Sequence, residues 1–117
     1  MARKNEGKAK KPAKFTPCYI PCRIEPGMFR EEFLVYLDAI DPSDPNKKVK
    51  AQLFVDQREV AGVSGAPKRH NPAPAWLRVT LVAEQGEWAE VVLPQPSQPL
   101  GERILIASES VREKPGL

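Results

Sequence analysis

A chain of 117 residues with a formal net charge of +3 has room for one domain with tails and excludes a multidomain architecture. Its 41% hydrophobic content can fill a core, while thirteen prolines and seven glycines argue against long helices and suit a loop-rich, all-β chain. No apolar run approaches the roughly 20 residues of a membrane helix, and the charged N-terminus has no apolar stretch of a secretory signal, so the cytoplasm is the expected compartment.

The charge is unevenly placed. Residues 1–14 hold Arg3, Lys4, Lys8, Lys10, Lys11 and Lys14 against Glu6, leaving 12 basic and 14 acidic residues for the rest. The body is therefore mildly acidic, and the basicity belongs to an arm without apolar periodicity, which is expected to be disordered when free. Such an arm suits phosphates of RNA or DNA through counterion release, or an acidic protein surface. A solubilising tail is the plainer alternative, and the arm has no interleaved aromatics for base stacking.

Phe15 to Ile24 alternates Cys18, Ile20, Cys22 and Ile24 on one face with Tyr19 and Arg23 on the other, the period of a strand. Pro17 and Pro21 lack the donor a ladder needs, so the expectation is an edge strand, with Tyr19 available to a partner. In an extended segment the Cys18 and Cys22 Cα atoms lie roughly 13 Å apart at about 3.3 Å per residue. A disulfide needs less than about 7 Å. Two buried thiols are expected, with a zinc site shared with another chain as the minor alternative, since a structural zinc takes four ligands and His70 is the only other soft one.

Glu25-Pro26-Gly27 reads as a turn, and Met28 to Ile40 as a strand apolar on both faces. Glu31-Glu32 would also suit the first turn of a helix from Phe29. The Phe, Val, Tyr and Ile content favours the strand. Asp41 to Lys48 is expected to be a compact polar turn, and its aspartates lack the spacing, Gly and terminal Glu of a calcium loop. Val49 to Val60 is the next strand. Val60 to Ala75 is the longest irregular stretch, with Lys68, Arg69 and His70 at its tip to grip a phosphate or carboxylate, and Trp76 at its base as a docking surface. A flexible crossover with solvated charges is the plainer alternative.

From Trp76 to Glu113 the chain reads as three short strands. Leu77, Val79, Leu81 and Ala83 alternate with polar positions, Gly86 supplies a turn, Trp88 to Leu93 resumes the strand, and Pro94, Pro96 and Pro99 should interrupt it. Gly101 marks another turn, Arg103 to Ala107 is the third strand, Ser108-Glu109-Ser110 favours a single helical turn, and Val111 should plug the core. The order Gly86-Glu87-Trp88, Gly101, Ile104-Leu105-Ile106, Ser108-Glu109-Ser110, Val111 resembles the second half of SH3-like small barrels. It implies an all-β fold, a small SH3-like barrel, and a compact antiparallel β-sandwich remains open beside it. The Pro-Ser-Asn-Tyr-like ending of peptide-binding SH3 domains is replaced by Ala107-Ser108-Glu109-Ser110, which weighs against proline-rich peptides as ligands.

The expected organisation is a basic arm over 1–14, one β domain over 15–113 and a frayed tail over 114–117. No phosphate-binding loop, HExxH or GxSxG is present, and the single His70 sits in a Pro/Gly-rich loop, a poor place for a buried base. The chain therefore reads as a non-catalytic interaction or scaffold module, an accessory subunit of a larger assembly. It calls for no cofactor and no metal. A nucleic-acid-associated protein acting through its arm is the alternative.

Overall fold

The computed structural model describes residues 14–116. Seven strands run through them: β1 (Pro17–Pro26), β2 (Glu32–Asp41), β3 (Asp44–Asp56), β4 (Val60–Ala61), β5 (Ala73–Gln85), β6 (Trp88–Ser97) and β7 (Gly101–Ala107). Single-turn 3-10 helices follow β3 and β7, η1 (Gln57–Glu59) and η2 (Ser108–Ser110). The order β1-β2-β7-β6-β5 returns from β5 to β1, so five antiparallel strands close a small barrel. β3 lies outside the ring against β2, and β4 adds two residues beside β5.

Period-two patterning sets the inside. Cys18, Ile20, Cys22 and Ile24 of β1 are buried, as are Val35, Leu37 and Ala39 of β2, Leu77, Val79 and Leu81 of β5, Val91 and Leu93 of β6, and Ile104 and Ile106 of β7. These inner faces meet in one core. Fully burying a side chain such as Ile20 or Leu77 stabilises the fold by about 1.5–3 kcal/mol relative to leaving it in water. Val111 is buried directly after η2, as the sequence implies, and both thiols are free and buried. Gly86 (φ 62°) and Gly101 (φ 77°) take the left-handed conformation that their tight turns require. Ser97 Oγ donates to the Gly101 carbonyl at 2.6 Å and ties the second of these turns.

Four expectations are corrected. β1 is a ring strand, not an edge. Tyr19 exchanges both backbone bonds with Arg112, so by alternation Pro17 and Pro21 also face away from β5, and their missing N–H groups cost that ladder nothing. β6 is not interrupted at Pro94 and Pro96 but runs to Ser97. Its pairing with β5 ends at Val92, and its pairing with β7 skips to Ser97, so the prolines lie where no partner needs a donor. The chain reverses over Pro42-Ser43 rather than through Lys48, because the Asp41 carboxylate accepts from the Ser43 N–H (2.9 Å) and hydroxyl (2.8 Å). Finally, the strand from Val49 stops at Asp56, whose carboxylate caps η1 by accepting from the Arg58 N–H at 2.8 Å. The irregular loop narrows to residues 62–72. Among the described residues, no helix is long and apolar enough to cross a membrane.

Candidate functional site

Barrel closure is uneven around the ring. β1 meets β5 over eight consecutive pairs, from Pro17↔Thr80 to Ile24↔Ala73. β2 meets β7 at one pair, Ile40↔Leu105, and meets β1 only from Phe33 to Tyr36. Between Tyr36 and Ile40, the edge of β2 that faces the ring has no ladder partner among the described residues.

Continuing the β2–β7 register would set Ala107 and Ser108 opposite Asp38 and Leu37. The chain turns away there instead. The Ser108 N–H donates to the Glu87 carbonyl at 2.7 Å, and its hydroxyl bonds the Glu84 carboxylate, which pins η2 onto the β5–β6 turn. Val111 then enters the core, and Arg112 and Tyr19 exchange backbone bonds of 2.8 and 2.9 Å. The sequence that makes η2 thus opens the seam beside it.

An open groove of about 1110 Å³ lies over the gap. That exceeds the roughly 300–1,000 Å³ of a small-molecule pocket and suits a segment of polymer better. Its floor is apolar, formed by Cys22, Leu37 and Ala39 of the core. One wall carries Arg23, Tyr36, Asp38, Lys48 and Lys50, and the opposite wall is the turn through Glu87 and Trp88 with the segment from Ala107 to Arg112. Trp88 is 38% exposed although it begins a strand.

The charges in the walls differ in their commitments. Lys50 Nζ lies 3.6 Å from Asp38 Oδ1, both well exposed, a pair worth at most about 1 kcal/mol. The Arg112 guanidinium donates to the carbonyls of Glu109 and Val111. Arg23 and Lys48 form no ion pair among the described residues. Burial, and then the nearby Glu25 carboxylate, raise the Tyr36 phenol above its ordinary value. Burial pushes the Cys22 thiol up to about 12, so the floor of the groove holds a neutral thiol at pH 7. Its surroundings in the groove include no imidazole. Among the described residues, no three His, Cys, Asp or Glu side chains converge to hold a metal ion.

The residues singled out in the sequence are dispersed. Lys68, Arg69 and His70 are exposed on a tight turn closed by mutual backbone bonds between Lys68 and Asn71 (3.2 and 2.9 Å), with His70 at φ 65°. They do not line the groove, and neither does Lys14, which is exposed at the start of the described chain. Arg3, Lys4, Lys8, Lys10 and Lys11 lie outside the described residues. Tyr19 is half-buried, with its backbone engaged by Arg112. Trp76 is half-buried on the outer side of β5, covered by the C-terminal segment: a methyl group on Gly116 would overlap its ring, one on Gly62 would stand 3.1 Å from Cδ1, and Pro115 lies beside Gly62. The groove residues Arg23, Tyr36, Lys48 and Trp88 escaped the sequence reading. For Tyr36 and Trp88 the available signal was a large aromatic at the outward parity of a strand whose inward positions were already filled.

No family model matches this chain, and neither the curated proteins nor the solved structures contain a significant match to it.

Proposed function

We propose that this protein is a non-catalytic docking module of the SH3-like small-barrel kind, an accessory subunit that binds a protein partner within a larger assembly. One observation carries the reading: a β2 edge without a ladder partner runs along the floor of an open groove. Unpaired backbone groups over an apolar floor invite an extended segment of another protein. Exposed Trp88 adds the kind of aromatic anchor that concentrates binding energy at interfaces. The neutral Cys22 thiol and the distance in the fold of His70 from the groove also favour binding over nucleophilic chemistry.

The test places a photo-crosslinking amino acid at position 88, and separately at position 69, in cells that make the full chain. Docking in the groove predicts one dominant protein adduct from position 88 and none of that partner from position 69. Adducts borne mainly by RNA or DNA, or a partner reached equally from both positions, would sink the reading.

A second reading rests on the concentration of basic residues in 1–14, joined by the exposed Lys68-Arg69-His70 turn: contact with RNA or DNA phosphates. Its test is binding of generic RNA and DNA by the full chain at rising salt. A variant with Lys8, Lys10, Lys11 and Lys14 changed to Ala should then lose both the affinity and the salt slope. Absence of binding at about 50 mM salt, where phosphate contacts are near their strongest, removes this alternative.

A further inference from the structure

We propose that the groove binds an extended acidic-apolar peptide, added as a strand to the β2 edge between Tyr36 and Ile40, with apolar side chains at alternate positions and carboxylates between them. This rests on the docking reading above and specifies the ligand of that same site.

The backbone argument selects the edge. The far side of β2 is occupied by β3 along its length, from Glu32↔Asp56 to Asp41↔Asp44. The near side is free of ladder partners only across the gap. A guest strand there would lie in the plane of the barrel wall, and its side chains would alternate between the two faces of that wall. Those turned inward meet Cys22, Leu37 and Ala39, a floor with no charged group. Short or branched apolar side chains fit it, and a charge placed there would be desolvated without a partner.

The charge argument selects the sign of the outward positions. On the β1–β2–β3 wall, Asp38 is already matched by Lys50, while Arg23 and Lys48 have no carboxylate partner among the described residues. A guest carboxylate on that flank answers two uncommitted cations. Glu87 and Glu109 stand on the opposite wall and disfavour further carboxylates on their own side, where the Arg112 guanidinium is committed to the Glu109 and Val111 carbonyls. The guest is therefore acidic along one flank only, with an apolar side chain left to lie on the exposed indole of Trp88.

The test titrates the full chain with four short synthetic peptides: alternating Val and Glu, alternating Val and Lys, and two Val/Glu peptides methylated at every second backbone nitrogen, one in each register. Amide hydrogen exchange maps where each one binds. The Val/Glu peptide should bind and slow exchange from Leu37 to Ile40. The doubly changed R23E/K48E chain, with its folding checked by circular dichroism, should bind it about tenfold more weakly or worse and favour Val/Lys instead. Methylation in one register should abolish binding and in the other leave it intact, because a strand presents alternate N–H groups to its neighbour. Equal binding of both charge patterns, protection outside the groove, or tolerance of methylation in both registers would overturn the proposal. If neither peptide binds, it falls as well. A surviving protein crosslink from position 88 would then keep the docking reading alone, and loss of that crosslink too would remove both.

Discussion

The two sides of β1 and β2 treat closure in opposite ways. On one side β1 and β5 share eight consecutive pairs, backed by Ile20, Leu77 and Val79, all at most 3% exposed. On the other, β2 and β7 share one pair over a groove. A barrel needs continuous pairing somewhere to hold its core, but it does not need it everywhere. Ser108 shows how the difference is made: one residue that turns to bond the β5–β6 turn stops β7 from covering the next stretch of β2. The closed side concentrates the packing, and the open side leaves backbone available to a partner.

Substitutions can break or sharpen this contrast. The largest effect is expected from Leu77→Ala on the closed side, a cavity costing about 2–5 kcal/mol, read from urea unfolding. Leu37→Ala, on the floor of the groove, should cost measurably less, because water can enter the space it leaves. Equal costs would mean that the open side is packed as firmly as the closed one. Next comes Gly116→Val, which drives a side chain into the Trp76 ring that braces β5, at about 1–3 kcal/mol, with a red shift of tryptophan emission.

The thiols give a third comparison. Burial raises Cys22 to about 12 and Cys18 to about 11, the latter partly offset by a bond with the Leu81 backbone, from an ordinary 9.0. The folded protein holds these protons more tightly than the unfolded chain. Their contribution is therefore complete below pH 9 and declines as the pH rises from about 9 toward 12. An alkaline unfolding series should show that fall, and changing both cysteines to Ala should flatten it. At pH 8 a thiol reagent should label both cysteines only slowly in the folded protein, since burial keeps both thiols protonated. The smallest effect is expected from Arg103→Ala. It removes the surface pair with Glu90 at 2.8 Å and should shift stability by no more than about 1 kcal/mol.

The barrel was legible where side-chain parity alone decides structure. Alternation in Cys18–Ile24 and Leu77–Leu81 marked inward faces, Gly86 and Gly101 marked turns, and Ser108–Val111 marked the single turn and its core plug. What could not be read depends on which strand lies beside which. Pro17 and Pro21 look like edge residues until Tyr19 is seen to bond Arg112 on that side. Pro94 and Pro96 look like a break until β6 is seen to have left its ladders with β5 and β7 there. The groove is missing pairing between β2 and β7, distant elements that meet only at Ile40 and Leu105, and no local pattern records a pairing that is absent. Trp76 and Trp88 were equally conspicuous in the sequence. Only packing separates the one set against Gly116 from the one left in solvent.

The exchange between Tyr19 and Arg112 also has a mechanical consequence. In an antiparallel bridge, the chain preceding Tyr19 leaves on the same side as the chain following Arg112. Tension applied to the two ends therefore loads that bridge by peeling, one contact at a time, rather than by shearing many contacts together. Under such a pull the C-terminal segment should yield first and at low force, lifting Pro115 and Gly116 from Trp76, while the eight-pair β1–β5 ladder resists later. A tether at each end would make the strand bordering the groove the first part of the barrel to feel a load.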